Sequence, residues 1–309
     1  MDRTAFRHVL VADSGATKCS WALLERPCGR DDVPGEVARE VLRYETCGLN
    51  AAVASAEDVR AFAAEASRHL CPASVSEMWI YAAGAASGGL SEDIVRAFGL
   101  LFRNAEVNVA SDMLGAARAV CGSAPGTVGI LGTGSNCCLY DGKNIAVQGL
   151  GGGYVLGDEG SGAWVGKRLL SDFIRGLLPS SMSGALRREY ALDYPAIVEN
   201  VYRSGAPGRY LASFFPFVLG CSSGADASGE YASALLREGF EAFLDRCIQG
   251  LRGCAEYPLN LCGSVAWLCR DIIADCARER GIRMGTVLKS PIDGLAAYHG
   301  RTPGRVETI

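Results

Sequence analysis

Short apolar runs bounded by glycine mark strands at 8–12, 18–24, 78–82, 106–110, 127–131 and 136–140. Apolar positions three and four apart mark helices at 56–70, 91–102, 113–121, 161–177, 230–253, 264–280 and 293–299. Strand hairpins come first, then helices, then the same order again with a strongly helical second half. That order calls for α/β layers rather than a simple parallel βαβ series. No low-complexity linker interrupts it. "GRDDVPGE" (29–36) reads as a polar loop between strands, and "CSSGADASGE" (221–230) as a loop before a long helix.

Two hairpins share one layout. "VLVADSGATKCSWALLE" (9–25) and "GILGTGSNCCLYDG" (129–142) each run from an apolar strand through a small, hydroxyl-bearing turn into a second apolar strand. A displacement of 118 positions lays Thr17-Lys18-Cys19 over Ser135-Asn136-Cys137. At 309 residues the chain is long for one core. The repeat therefore predicts two α/β domains, 1–120 and 121–309, each with one hairpin, and leaves the helix at 293–299 to pack back on the first.

Composition narrows the class without changing that picture. With 49% hydrophobic and 21% charged residues and a net charge of −4, the chain reads as an ordinary globular protein, and nothing points to a nucleic-acid or membrane-surface partner. The apolar run before Asp13 is too short for a signal or spanning segment, so a cytoplasmic protein is expected. Thirteen cysteines, an odd count with no CxxC pair, argue against a disulfide framework or a zinc site. Cys262, Cys269 and Cys276 recur every seven residues as a metal or redox strip would. Burial is the better account, because free cysteine is among the most buried residue types.

The turns carry the chemistry. Asp13-Ser14-Gly15-Ala16-Thr17-Lys18 offers backbone N–H groups, hydroxyls and an ammonium together, which suits a polyphosphate; Gly132-Thr133-Gly134-Ser135 offers the same without the lysine. Either turn alone is explained as a tight hairpin. The matched pair points to two loops holding one triphosphate between two domains. Neither turn reads GxxxxGK[ST], and neither opens a helix as a dinucleotide fingerprint does. Asp13 places a carboxylate where phosphates would sit, which calls for Mg²⁺ held through water; the plain alternative is a turn-forming aspartate.

Asp112 stands where a strand ends and a helix starts, as an N-cap or as a general base kept ionised by the helix N-terminus. The only histidines, His8, His69 and His299, lie away from the glycine turns and from Asp112 in the sequence, which leaves a carboxylate as the proton acceptor. In "GLGGGYVLGDEGSGAW" (149–164), glycines precede Asp158 and Glu159 at a helix start, an arrangement of charged acceptors on rigid backbone that suits a polyol. "GCSSG" (220–224) also satisfies GxSxG around Ser222, with Asp271 or Asp293 and then His299 downstream, but without a tight strand-to-helix elbow. A nucleotide sensor or partner-driving ATPase would need the two turns and no sugar residues.

Together, "DSGATKCSW", "ASDMLGAA", "GILGTGSNC", "GGGYVLGDEGSGAW", "CGSVA" and "SPIDGLAAYH" resemble the N-acetylglucosamine kinase family, within the BadF/BadG-type ATPases of the sugar kinase, Hsp70 and actin superfamily. The resemblance runs from Val9 to His299. It implies two RNase-H-like (actin-like ATPase) domains with a nucleotide cleft between them, and an ATP- and Mg²⁺-dependent kinase of an amino sugar, acting as a homodimer.

By that resemblance Asp13, Gly15, Thr17 and Lys18 form the first phosphate loop and Gly132, Thr133, Gly134 and Ser135 the second. Gly263 and Ser264 fall on the adenosine motif, and Asp112 on the catalytic base. Asn50, Asn136, Gly151, Gly153 and Asp158 fall on the sugar site. The family's Gly-Gly-Trp-Gly run is replaced by Leu150-Gly151-Gly152-Gly153, which would widen the sugar pocket. N-acetylglucosamine is the first expectation; N-acetylmuramic acid, glucosamine, or an ATPase activator without kinase activity are the alternatives. The paired cysteines of the iron–sulfur branch and the zinc segment of the ROK-type kinases have no counterpart in the sequence.

Overall fold

The first hairpin is β1 (Ala5–Ser14) and β2 (Lys18–Cys28), extended to an antiparallel meander by β3 (Arg39–Cys47). After α1 (Ala56–Ser67) the chain adds β4 (Val75–Ala82) parallel to β1, and after α2 (Leu90–Leu101) it adds β5 (Glu106–Ser111) parallel to β4. The sheet order is β3-β2-β1-β4-β5, and α3 (Asp112–Cys121) leaves the end of β5 directly. These assignments come from a computed structural model that describes residues 5–15, 18–28, 38–49, 54–85 and 89–301.

β1 is a continuous apolar run because both of its faces are covered. Leu10 and Ala12 join Trp21, Phe62, Met78, Ile80 and Phe98 in one buried cluster, with Phe62 on α1 and Phe98 on α2. Val9 and Val11 face the other way, toward Ala22, Leu24, Tyr81, Ile292 and Leu295. The tryptophan is satisfied at both ends: its ring stacks on Tyr44 at 5.7 Å, and its Nε1 donates to Thr46 Oγ1 at 2.9 Å.

The second hairpin is β6 (Gly126–Leu131) and β7 (Ser135–Tyr140), again continued by an antiparallel third strand, β8 (Ile145–Gln148). Helices then dominate: α4 (Gly153–Leu156), α5 (Gly162–Ile174), α6 (Ser180–Tyr190), α7 (Tyr194–Tyr202), α8 (Pro207–Ala212), α9 (Phe215–Cys221) and α10 (Ala227–Ala242). β9 (Leu259–Cys262) lies parallel to β6, and after α11 (Ser264–Leu268) and α12 (Arg270–Glu279) comes β10 (Met284–Leu288), parallel to β9. The order β10-β9-β6-β7-β8 repeats that of the first sheet: a meander whose first strand is flanked by two parallel strands in succession. This is the RNase-H-like, actin-like ATPase fold, present twice.

The chain divides into one unit of Met1–Ser123 with Ser290–Ile309 and another of Ala124–Lys289, so the last helix, α13 (Pro291–His299), belongs to the first unit. Two expected helices are corrected. The one at 230–253 stops as an α-helix at Ala242 and continues as a π-helical turn, Phe243–Ile248. The one at 264–280 is broken at Cys269, which ends α11 outside helical geometry. Cys262, Cys269 and Cys276 are all buried in the second unit. The loop at 29–36 falls outside the described residues.

Candidate active site

In the first unit, Asp13 sits at the carboxyl end of β1 and Asp112 just beyond the carboxyl end of β5, where open α/β sheets bind ligands. The turn after Asp13 is closed by Gly15 N–H donating to Lys18 O at 3.1 Å. Buried Ser14 ties it down: its Oγ accepts from Leu49 N at 2.8 Å and donates to Leu49 O at 3.3 Å. Lys18 Nζ pairs with Glu45 Oε1 at 2.5 Å, with both side chains more than half exposed, a pairing weak enough to exchange for an incoming anion.

The helix cap at Asp112 is corrected by one residue. Ser111, in extended geometry, is the N-cap and accepts from Leu114 N at 3.2 Å, whereas Asp112 is the first helical residue and its Oδ1 accepts from Met113 N at 2.9 Å. The cap therefore leaves Asp112 without a capping duty. Its electrostatics also differ from the expectation: burial pushes the Asp112 carboxyl above the ordinary carboxylate range, against the Met113 N–H bond. Asp13 is pushed up to about 7, first by desolvation and then by the charge of Asp112, with Lys18 opposing.

Two desolvated carboxylates, with the charge of Asp112 acting on Asp13, supply oxygen donors of the kind that fits Mg²⁺. That ion takes one or two carboxylates and completes its shell with water and phosphate oxygens. No group of three or more His, Cys, Asp or Glu able to hold a metal occurs among the described residues.

In the second unit, Gly132 N–H donates to Gly134 O at 3.0 Å, and the turn is held from behind by Gly162 N–H to Gly132 O (2.9 Å) and Ala163 N–H to Thr133 O (3.0 Å) at the start of α5. Ser135 N–H donates to Asp158 Oδ1 at 3.1 Å. Asp158, expected at the sugar, thus braces the Gly132–Ser135 turn, from a left-handed backbone position with φ of 56° that disfavours non-glycine residues. Burial raises its pKa, while the Ser135 N–H bond and the charge of Lys167 oppose.

Asn136 follows Ser135 on β7, and its Oδ1 accepts from Cys137 N (2.9 Å) and Gln148 Nε2 (3.1 Å). Gln148 is a contact that no motif announced, since it occupies an exposed position of the short strand β8. Lys167, equally unannounced, reaches from α5 to donate to Tyr154 O at 2.8 Å and anchors the glycine-rich segment. Within that segment Gly151 is exposed and Gly153 opens α4 at φ of 62°. Leu150 is fully exposed beside them.

Gly263 has a strict structural reason: its φ is 122°, and a Cβ there would lie 2.2 Å from Leu131 O. The close approach sets Gly263 and Ser264, at the start of α11, beside the strand end that leads into Gly132. Thr17 and Asn50 lie outside the described residues. The hydrolase reading fails on its own residues. Ser222 caps the carboxyl end of α9 and donates to Leu219 O at 2.8 Å, Asp293 pairs with Arg43, and His299 meets Tyr81 rather than a carboxylate.

Neither a protein-family profile nor a curated protein matches the chain. Solved structures do. A protein of Porphyromonas gingivalis, provisionally assigned as an N-acetylglucosamine kinase, is 32% identical with a TM-score of 0.84, over 94% of this chain and 98% of its own. A Chromobacterium violaceum protein with the same provisional assignment is 21% identical with a TM-score of 0.72, over 94% and 98%. A ROK family glucokinase of Streptomyces griseus, solved with glucose and AMPPNP, shares the fold at 14% identity with a TM-score of 0.55, over 94% and 97%.

Fold and likeness to these structures define a phosphotransferase, a sugar kinase of the sugar kinase and actin superfamily. Within that class the chain belongs to the N-acetylglucosamine kinase family.

Proposed function

We propose that the protein transfers the γ-phosphoryl group of ATP to the 6-hydroxyl of an N-acetylated hexosamine, with N-acetylglucosamine as the preferred acceptor. The observation that supports this most is the desolvated pair Asp13 and Asp112 at the strand ends, with the cap assigned to Ser111 and Asp112 left to act as a base. Asp112 takes the hydroxyl proton as the sugar oxygen bonds to phosphorus, the bond to the β-phosphate oxygen breaks, and ADP leaves.

Gly15 and Lys18 in the first unit, with Thr17, and Gly132, Thr133, Gly134 and Ser135 in the second are assigned to the phosphates, where amides and ammonium offset developing charge. Gly263 and Ser264 are assigned to the adenosine. Asp13 would hold Mg²⁺ through water, an ion that when bound neutralises charge on the phosphates. Asn136 and Asp158, with Asn50, Gly151 and Gly153, are assigned to the sugar. Gln148 fixes which way the Asn136 amide faces, because its Nε2–H occupies the carbonyl side.

A coupled ADP-release screen over N-acetylglucosamine, N-acetylmuramic acid, glucosamine and glucose tests the assignment. Stimulation by N-acetylglucosamine above the others is the expected result. A rate unaffected by every sugar would overturn it and favour an ATPase that drives a partner.

A further inference from the structure

Histidine is scarce in this chain, and His299 is both buried and outside the reaction described above. It is the last residue of α13, and its Nε2 lies 2.8 Å from the hydroxyl of Tyr81, a fully buried residue near the end of β4. The same hydroxyl accepts from Arg118 Nη1 of α3 at 2.8 Å. A guanidinium can only donate, so the Tyr81 oxygen accepts from Arg118; with the imidazole in the tautomer that carries its proton on Nδ1, the single phenol proton goes to His299 Nε2.

That pattern requires a neutral imidazole with an unprotonated Nε2. Burial, helped by the charges of Arg118 and Arg26, lowers the His299 pKa to about 3 and keeps it neutral. The guanidinium is further enclosed by Trp79 at 5.0 Å and Tyr298 at 5.3 Å from their ring centres.

Tyr81 is paired in register with Asp13 on one side and with Ala110 on the other, so it stands between the strands that lead to the two carboxylates. α3 lies directly on it: a Cβ at Gly115 would be 2.8 Å from Tyr81 Cγ. From the far side α13 closes onto α3 equally tightly, a Cβ at Gly294 falling 2.2 Å from Ala119 O. Asp112 is the first residue of the helix gripped in this way.

We infer that Tyr81, Arg118 and His299 form a buried clamp that fixes the position of α3 along its axis and so holds Asp112 at the attacking hydroxyl, making the C-terminal helix part of the catalytic geometry. This rests on the assignment of Asp112 as the base. The three are positioning residues. A displacement of about 1 Å at a reacting group is enough to cost a rate on the order of 10²-fold.

The test uses the full chain with Tyr81→Phe, which keeps the ring against Gly115 and removes the hydroxyl, together with His299→Ala and His299→Gln. The expected result is a kcat lowered about 10- to 100-fold in Tyr81→Phe and His299→Ala, with KM for ATP and sugar within about twofold. Amide exchange across 112–118 is faster in both, and Gln, which offers an acceptor in place of Nε2, recovers kcat and slow exchange. Unchanged kcat in Tyr81→Phe, or equal losses in kcat and KM that Gln does not rescue, would overturn the clamp. Asp112→Asn is measured alongside: if it retains full turnover, the base assignment has failed instead, and the clamp is judged on exchange alone, with wild-type protection of α3 in Tyr81→Phe overturning it.

Discussion

At Asp112, an amide in place of the carboxylate removes the proton acceptor and leaves the helix start intact, because Ser111 supplies the cap. Asp112→Asn is therefore expected to lower kcat by about 10²- to 10⁴-fold, the usual worth of a positioned base, without lowering the melting temperature. Ser111→Ala is expected to cost about 1 kcal/mol of stability, as a lost cap does. Measuring kcat and melting temperature for both separates the two duties. Asp13 makes a pH-dependent forecast. With a folded pKa of about 7 against an ordinary 3.8, the folded protein keeps a proton that the unfolded chain releases. Its contribution to stability is thus complete below about pH 4 and disappears as pH rises through 7. Without ligand, Asp13→Asn should be more stable than wild type at pH 8, by at most about 4 kcal/mol at about 1.4 kcal/mol per tenfold change in proton affinity, and no more stable at pH 4. Denaturation curves at the two pH values check the sign. Both carboxylates were legible as polar residues closing apolar strands. The action of the Asp112 charge on Asp13 was not, since it depends on the pairing of β1 and β5 around β4. The one-residue shift of the cap was hidden too, because a Ser-Asp pair offers two good caps and only the backbone angle at Ser111 selects one.

Among the elements, the hairpins were readable because each inner strand is covered on both faces and ends in a glycine turn. β9 was not, since its four residues are all buried and show no alternation. Helices α7, α8 and α9 run nine, six and seven residues, too few for a helical period to declare itself, and each carries proline in its first turn. The π-helical turn after α10 keeps a helix-like apolar pattern, which is why one long helix was expected there. The glycine of "CGSVA" was legible as a motif, but its cause is a close approach of backbone to Leu131 that no local pattern encodes. Gly263→Ala must bear both a left-handed backbone and a clash with that carbonyl. A loss of about 2–4 kcal/mol is expected, read as a lowered denaturation midpoint, together with weakened ATP binding.

For the molecule as a whole, the repeat of two turns 118 residues apart gives the expectation of two α/β domains with one hairpin each; the structure has two sheets that share one strand order, which the hairpins alone do not specify. The helix at 293–299, expected to pack back on the first domain, belongs to the first unit as α13, where Ile292 and Leu295 pack with Val9 and Val11 on the face of β1 that α1 and α2 leave uncovered. Among the described residues no helix is long and apolar enough to cross a membrane. In the proposed reaction, one phosphoryl group passes from ATP to an amino sugar at a hydroxyl deprotonated by Asp112. Product analysis tests this transfer: the protein is incubated with Mg-ATP and N-acetylglucosamine, and the phosphorus-bearing carbon of the product is identified by NMR while ADP is counted. The expected product is N-acetylglucosamine 6-phosphate, formed in step with ADP, one for one. ADP released without a sugar phosphate, or at the same rate with no sugar present, would contradict it.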